Sequence, residues 1–435
     1  MKYIYILLVS ILFFTACEDL DQSPPNIASA DSLTDFDGVL NAAYFYQLGT
    51  VTPLAVMGDF RADNAFMMES PYDEFDQFDK DLVQMNEQFF SPFYTACYKA
   101  ILSCNIVIEN SENDDEVAEA QFLRALSYFK LVRVFGDVTI NLSSAPSATD
   151  QAILARSPES EVYSTVIIPD LEAAIAILDN SGLSTGKASK IAAQSLLGKV
   201  YVERGNFMLA EMILADVINS ADEAGVVLQD DFANIFGTIN DLNSEIIFAT
   251  QVSSSINDEY GFSEFWSWSG GLDTKSLEPL EQDLINAFDD SPGDLRRDVT
   301  IDEALLSSPK FPQEGGPDHD WIEIRLADVI LLYAEALNEN GKTSEAATQL
   351  NKVRSRAGLD DTAATSEDEM RSAILDERRL ELAFEGHRWF DLVRTGTVDE
   401  EMGQVIDPNY YIFPIPNSEI LSSFMVIEQN PGYEQ

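Results

Sequence analysis

The chain has 435 residues, of which 46% are hydrophobic and 23% charged, a composition that is typical of folded globular proteins rather than disordered ones. The 75 acidic side chains against 26 Lys and Arg give a net charge of −49, which argues against nucleic acid and anionic lipid as partners, because both attract basic surfaces. Three cysteines and two histidines form no zinc-ligand pattern, so we expect neither a metal nor a cofactor.

Residues 1–16 predict a lipoprotein signal peptide. The apolar run at 3–14 is shorter than the ~20 residues that span a bilayer, and it fits the hydrophobic region of a secretory signal. It leads into Phe14-Thr15-Ala16-Cys17, which is similar to a lipobox, so we expect lipidation of Cys17 after cleavage. The alternative is an ordinary cysteine in a plain signal peptide. Residues 17–32 then comprise the lipidated cysteine and a flexible tether, and the acyl chains would hold the protein on a membrane.

Helical periodicity dominates residues 33–435, which we expect to form a single domain. Apolar residues recur every three or four positions at 93–107, 116–135 and 158–178, and each segment predicts an amphipathic helix. Two later segments share one register of small residue, large residue, turn glycine, alanine and leucine. These positions are Gly198, Tyr201, Gly205, Ala210 and Leu214, and then Ala334, Leu337, Gly341, Ala346 and Leu350. The register is that of tetratricopeptide repeats, so we expect helical hairpins near 190–220 and 325–356.

Residues from about 226 to 322 differ in composition from the helical segments that flank them. They are rich in Gly, Ser, Asp, Pro and aromatic residues, which predicts a loop-rich insert with a short strand at 245–252. The predicted fold class is therefore mainly α, with a scaffold of tetratricopeptide-like hairpins, long irregular loops and few short strands.

Aromatic residues in irregular segments are the candidate ligand contacts. Phe262, Phe265, Trp266 and Trp268 lie within seven residues of the insert. Flat rings stack on the apolar faces of sugars, while Asp, Asn and Arg bind hydroxyl groups, so we predict ligand binding by Phe265, Trp266 and Trp268. The other candidates are Arg61, Asp63 and Asn64 with Tyr72 nearby, and Trp321 beside His319 and Asp320. The alternative is that these side chains pack loops against the helical scaffold.

Charged residues interrupt two apolar, helix-like segments, at 321–341 and 376–394. Unpaired buried charge is costly, so the pattern predicts a shared ionic network between the segments. Its expected members are Arg325, Asp328, Glu335, Arg378, Arg379, Glu381, Glu385 and Arg388. Glu381 and Glu385 are one helical turn apart and could instead form the acid/base pair of a glycoside hydrolase. The neighbouring arginines favour the structural interpretation, and the sequence contains none of the common catalytic motifs.

These two segments, together with Asp294-Leu-Arg296, Tyr411-Ile-Phe-Pro414 and Asn430-Pro-Gly-Tyr433, resemble the signature of SusD/RagB-type proteins, the nutrient-binding lipoproteins of Gram-negative outer membranes. The acidic residues directly after Cys17 are similar to the surface-export signal of lipoproteins in bacteria that carry such proteins. The resemblance implies a lipid-anchored protein on the outer face of the outer membrane. It would capture an oligosaccharide or similar nutrient, without enzymatic chemistry, and deliver it to a SusC-like TonB-dependent transporter.

The resemblance does not select the ligand contacts, because SusD-like proteins share a scaffold and differ in their binding loops. Two alternatives stay open. One is a surface scaffold that binds peptides or proteins, and the other is a glycoside hydrolase.

Overall fold

The computed structural model describes residues 35–67, 70–147, 150–252, 280–304, 307–311 and 319–433. These residues are mainly helical, with a few short strands, which confirms the predicted fold class. No helix among them combines the length and the apolar composition that crossing a bilayer requires. The predicted signal peptide and tether lie outside the described residues.

The helices are numbered in chain order. Those of the N-terminal half are α1 (Asp37–Ala55), α2 (Glu74–Gln77), α3 (Ser91–Asn110), α4 (Asp114–Phe135), α5 (Gln151–Leu154), α6 (Glu159–Val162), α7 (Ile168–Ile177), α8 (Lys190–Glu203) and α9 (Phe207–Ala224). Those of the C-terminal half are α10 (Gln282–Asp289), α11 (Arg297–Thr300), α12 (Leu326–Glu339), α13 (Thr343–Arg356), α14 (Glu367–Glu381), α15 (Arg388–Thr395), α16 (Val398–Glu401) and α17 (Asn417–Ser422).

The helix predictions hold for the N-terminal half, with one interruption. The segments 93–107 and 116–135 lie within α3 and α4. The segment 158–178 is divided into α6, a π-helical turn at Tyr163–Ile167 and α7, and Pro169 occupies the first turn of α7, where its missing N–H costs no helical hydrogen bond. A second π-helical turn, Val56–Phe60, continues α1 and carries the chain into the first group of candidate site residues.

Two helical hairpins, α8–α9 and α12–α13, form the scaffold, and α9 packs against α12. Their turn glycines, Gly205 and Gly341, have φ values of +66° and +75°, a left-handed conformation that disfavours residues with a side chain. At Gly198 on α8, a Cβ atom would lie 2.2 Å from Leu214 Cδ2 on α9, so any larger residue at this position would have to displace the Leu214 side chain. The register in the sequence is therefore a packing requirement.

The remaining long helices complete the core. Helix α3 packs between α1 and α4, and α4 also contacts α7, which in turn contacts α8 of the first hairpin. The buried apolar side chains of these helices and of the hairpins form one continuous cluster. The scaffold is thus a succession of paired helices that share a single core.

Four short strands accompany the helices in the part of the chain that the structure describes. Strands β1 (Val138–Thr139) and β2 (Arg156–Ser157) pair with each other, and β3 (Ile246–Thr250) pairs antiparallel with β4 (Trp321–Arg325). The strand predicted at 245–252 contains β3. The helical interpretation of residues 321–325 was wrong, because their backbone groups bond to β3 and the helix begins only at Leu326.

The second charged segment is also not one continuous helix. Helix α14 ends at Glu381, and the chain turns through Phe384 (φ +68°) and Gly386 (φ +73°) before α15 begins. Asp59 accepts the backbone N–H groups of Phe384 at 3.1 Å and of Gly386 at 2.7 Å, which satisfies donors that a continued helix would have used. A Cβ at Gly58 would lie 2.4 Å from the Gly386 carbonyl carbon, so the two backbones are in direct contact.

Candidate functional site

Arg325, the last residue of β4, is the centre of a buried ionic cluster. Its guanidinium donates two hydrogen bonds to Glu385 at 2.7 and 2.9 Å, one to Glu381 at 2.5 Å and one to Glu245 at 2.9 Å. It also donates to the backbone carbonyl of Glu381 at 2.7 Å. All four side chains belong to residues that are at most 3% exposed, so the cost of burying the charges is offset by charge-assisted bonds.

Two further arginines pair with Glu381. Arg296 donates to its carboxylate at 2.9 Å and is itself held by two bonds from its side chain to Asp294, at 2.9 and 2.7 Å. Arg356 pairs with the other carboxylate oxygen of Glu381. The charge pattern of the two segments predicts neither arginine, although Asp294-Leu-Arg296 is one of the motifs that carry the family resemblance.

Lys310 joins the loop-rich insert to this cluster. Its ammonium group donates to the Glu385 carboxylate at 2.6 Å and to the backbone carbonyl of Ala383 at 2.7 Å. The same group lies 4.6 Å from the ring centroid of Phe236 and 5.2 Å from that of Phe232, both in the insert. A single lysine in an irregular segment gives no sequence signal, so the sequence did not predict this role.

The environment of Glu381 and Glu385 differs from that of a glycosidase pair. Burial raises the pKa of each carboxyl group, but the surrounding cations lower it by more, so both pKa values lie below their ordinary range. Arg356, Arg325 and Arg296 act on Glu381. A general acid needs a raised pKa and a position that substrate can reach, whereas these carboxylates have lowered pKa values and are buried.

A second buried network surrounds Arg378. It donates to Asp328 at 2.7 Å and to Asp391 at 2.9 Å, and Lys199 donates to Asp328 at 3.0 Å. The His387 ring lies 3.3 Å from the Lys199 ammonium group, and burial together with this neighbour lowers the pKa of His387 to about 3. The histidine is therefore neutral and buried, which is unfavourable for a general base near neutral pH.

The structure places Arg379 and Arg388 against the first group of candidate ligand contacts. Arg388 donates two bonds to the Asp63 carboxylate, both at 2.7 Å, and Arg379 lies 3.0 Å from the same carboxylate. Arg379 also donates to the side-chain oxygen of Asn64 at 3.1 Å. Because Asp63 and Asn64 are buried and paired with the protein's own arginines, their expected role as ligand contacts is corrected to a structural one.

Arg61 is corrected in the same way. It is fully buried and donates to the backbone carbonyls of Phe75 at 2.7 Å and Tyr410 at 2.9 Å. Its guanidinium also stacks 4.3 Å from the ring centroid of Phe78 and approaches the hydroxyl of Tyr433 at 3.5 Å. These bonds join the end of the π-helical turn at Val56–Phe60 to the C-terminal segment, and the buried side chain has no exposed surface that could contact a ligand.

The remaining described candidates differ in exposure. Trp321 and His319 are buried beside β3, and burial raises the pKa of Asp320 to about 7. Tyr72 is partly exposed, and its hydroxyl accepts a hydrogen bond from Gln88 at 2.8 Å. Its ring is therefore accessible from solvent, whereas that of Trp321 is not. Phe265, Trp266, Trp268 and the lipidation site Cys17 lie outside the described residues.

A surface groove that the sequence did not predict runs between the hairpins and α14–α16. Its volume is about 440 Å³, within the range of small-ligand sites. Phe207 and Ile374 supply apolar lining. The charged lining is largely paired internally, since Arg394 donates to Glu335 at 2.5 and 2.9 Å. The groove has no sequence signature because its walls come from four separate parts of the chain.

One acidic group has the spacing of a cation site. In the described part of the chain, three carboxylate oxygens lie within 4.8 Å of one another, one each from Glu74, Asp79 and Asp81. Two of the three residues are exposed or nearly so, and exposed acidic groups of this kind are common without an ion. The geometry therefore does not revise the expectation that the protein needs no metal.

Two protein-family models match the chain. The model described as the SusD family matches residues 306–409, which contain the ionic cluster around Arg325. The model described as starch-binding, associating with outer membrane, matches residues 18–202. The chain belongs to the SusD/RagB family.

Relatives along nearly the whole chain support this SusD-family membership. A SusD-like protein of Formosa agariphila is 27% identical over 99% of this chain and 100% of its own length. A SusD superfamily structure from Parabacteroides distasonis has a TM-score of 0.77 at 23% identity, covering 94% of this chain and 100% of its own. A structure described as a laminarin-binding SusD-like protein has a TM-score of 0.72 at 25% identity, covering 92% and 99%.

The two SusD-family matches leave a gap between them. Residues 203–305 belong to neither matched range, and this gap contains Phe265, Trp266 and Trp268. The buried ionic networks lie mostly inside the matched ranges and hold the scaffold. The aromatic cluster thus lies in the part of the chain that the family models do not describe.

Proposed function

We propose that this protein is a cell-surface glycan-binding protein that captures an oligosaccharide or polysaccharide nutrient without converting it. The observation that carries the proposal is the similarity to a laminarin-binding SusD-like protein along 92% of the chain, at 25% identity. The name of the N-terminal family model, which refers to starch binding at the outer membrane, supports the same ligand class.

The proposed ligand contacts are Phe265, Trp266 and Trp268, with Tyr72 as a further ring. Aromatic rings offer flat apolar surfaces that match the C–H faces of sugars, and polar neighbours then bind the hydroxyl groups. The other candidates in the described part of the chain are buried and paired with protein groups, which leaves these rings as the best supported contacts.

We also propose that the protein is lipidated at Cys17, faces the cell exterior and delivers its ligand to a SusC-like TonB-dependent transporter. The support is the lipobox-like end of the signal peptide, the acidic residues that follow it, and family membership. Binding without catalysis is favoured because Glu381 and Glu385, the carboxylates spaced for glycoside hydrolysis, are buried and paired with cations.

A second candidate function is a surface scaffold that binds peptides or proteins. The groove of about 440 Å³ between the hairpins favours it, because such grooves accept extended ligands in other helical-repeat proteins. A screen separates the two functions. Protein that lacks residues 1–22 is tested against laminarin, starch and other glycans and against a peptide library, and binding of peptides alone would replace the glycan proposal.

The decisive experiment measures glycan affinity by calorimetry for the same soluble protein. We expect Trp266→Ala and Trp268→Ala each to weaken binding about tenfold, which corresponds to about 1.4 kcal/mol of lost contact. Phe45→Ala is the matched control, because this half-exposed ring of α1 is not among the proposed contacts. Absence of binding to every glycan in the screen, or equal losses in the control, would overturn the proposal. Release of reducing sugar by the wild type would restore the hydrolase alternative.

A further inference from the structure

A small, largely buried cavity lies where α4, α8, β4 and the turn before α15 meet. Its volume is about 40 Å³. A polar cavity needs roughly 10–15 Å³ to hold one water molecule, so this cavity admits a few waters or one monatomic ion. We refer to it as the cationic cavity, because three of the side chains that line it are positively charged. Its polar lining consists of Lys130, Arg133, Lys199, Glu323, Glu385 and His387.

Two of the charged groups that line the cavity are fully bonded to the protein. The Lys130 ammonium group donates to Glu323 at 2.5 Å and to two side chains of α1 at 2.9 and 3.1 Å, which uses its three hydrogens. The Glu385 carboxylate accepts bonds from Arg325 and Lys310 through both of its oxygens. Neither group therefore needs a further partner inside the cavity.

Arg133 and Lys199, in contrast, keep donors without acceptors among the described residues. Lys199 donates to Asp328 at 3.0 Å and to Nδ1 of the neutral His387 at 3.3 Å, which uses two of its three hydrogens. Arg133 lies 3.5 Å from Glu203 as an ion pair, but its Nε makes no hydrogen bond in the described part of the chain. Lys199 is 7% exposed and the Arg133 side chain 11%. Buried donors without acceptors are unfavourable, so the cavity favours a ligand that accepts hydrogen bonds.

The charges around the cavity favour a negatively charged ligand. Burial lowers the pKa of Lys199, and the positive charges of Arg133 and Arg378 lower it further, although Asp328 opposes them. Arg133 and Lys199 therefore repel each other across the junction. The lining contains three positive side chains against two carboxylates, which leaves an excess of one positive charge. One monovalent anion would balance this excess.

We propose that the cationic cavity is a binding site for one small monovalent anion such as chloride. The anion accepts charge-assisted hydrogen bonds from Arg133 and Lys199 and reduces the repulsion between them. The cavity is far smaller than the 300–1,000 Å³, in round figures about ten times larger, of sites that hold small organic ligands, so the anion site is separate from glycan binding. Its lining joins α8 of the first hairpin to α4 and β4, so the bound anion stabilises this junction. The inference goes beyond the proposed function and does not rest on it.

The first test measures the Tm of the full chain, purified in detergent, in sodium chloride and in sodium methanesulfonate at equal ionic strength. Methanesulfonate has the same charge but is too large for a cavity of about 40 Å³. We expect Tm to be higher in chloride by on the order of 2 °C, because a ligand that binds only the folded state stabilises it. Arg133→Met should abolish this difference. Arg204→Met is the matched control, since Arg204 also pairs with a glutamate, at 2.6 Å, and lies 4.8 Å from the centroid of an aromatic ring, but does not line the cavity.

Each variant is compared with itself in the two salts, so a general loss of stability in Arg133→Met does not imitate the expected result. Equal Tm values of the wild type in both salts, or a chloride effect that persists in Arg133→Met, would overturn the inference. The second test needs no variant. Crystals of the wild type grown in sodium bromide should show an anomalous scattering peak in contact with Arg133 and Lys199, whereas a cavity that holds water alone would overturn the inference.

Discussion

Replacing Arg325 with methionine tests whether the ionic cluster stabilises the fold. The guanidinium makes five hydrogen bonds, to Glu385, Glu381 and Glu245. Adding up ~1.5–3 kcal/mol for each charged bond would overestimate the loss, because the bonds share one cation. Breaking a buried ion pair costs about 3–5 kcal/mol. We expect the free energy of unfolding to fall by about 3–4 kcal/mol, toward the lower end of that range. Each carboxylate keeps another cation, because Glu385 still pairs with Lys310, Glu381 with Arg296 and Glu245 with Arg356.

The assay is urea unfolding followed by circular dichroism at neutral pH, with Arg297→Met as the matched control. Arg297 undergoes the same chemical change, but its partners Asp289 and Glu303 are exposed, and surface pairs contribute only about 0–1 kcal/mol. The loss of unfolding free energy in Arg325→Lys should lie between those of Arg325→Met and Arg297→Met, because lysine keeps the charge but lacks the forked geometry of the guanidinium. A loss below about 1 kcal/mol for Arg325→Met, or a loss equal to that of the control, would refute the view that the cluster is a main stabilising element.

Three further predictions concern titration and anchoring. Burial raises the pKa of Asp59 to about 7, so between about pH 4 and 7 the folded state holds a proton that the unfolded state has released. This group alone should make stability fall by up to ~1.4 kcal/mol per pH unit as pH rises. Asp59→Asn should remove that contribution and reduce the slope in urea unfolding, and a slope identical to that of the wild type would contradict the assignment. The His387 ring should show no NMR titration shift between pH 5 and 8, with His319→Gln identifying its signal. Cys17→Ser should release the protein from the membrane fraction, whereas Cys97→Ser should not, and retention of the Cys17 variant would exclude the lipid anchor.

The sequence predicted the helical scaffold because its signals are local. The hairpin register depends on residues within one turn of each other, such as Gly198 and Tyr201, and on turn glycines whose φ values only glycine adopts readily. The buried charges could also be predicted from the sequence, since alternating Arg and Glu residues in an apolar segment need partners nearby. The burial of Lys310 could not be predicted, because an isolated lysine in a loop gives the same sequence pattern whether it is buried or solvated.

The errors concern contacts between distant parts of the chain. The break after Glu381 depends on Asp59, whose bonds to Phe384 and Gly386 span 325 and 327 positions. Arg61 was predicted to contact ligand because it lies in an irregular segment of polar residues. Its actual partners include Tyr410 and Tyr433, which no local pattern connects to it. Hydrophobic periodicity therefore predicts the helices and strands. Which polar side chains are buried where these elements meet depends on the complete fold.

The bonds of Arg61 and Asp63 also have a consequence for biogenesis. They join positions that are 325 to 372 residues apart, so a loop of most of the chain must close before these buried side chains obtain their partners. A nascent chain that has not yet reached Tyr410 would have to bury Arg61 without its acceptor or leave it in water. This junction therefore cannot form all its bonds until synthesis is nearly complete. In the export that we propose, such a delay would keep the polypeptide in the unfolded state that passage through a translocation channel requires.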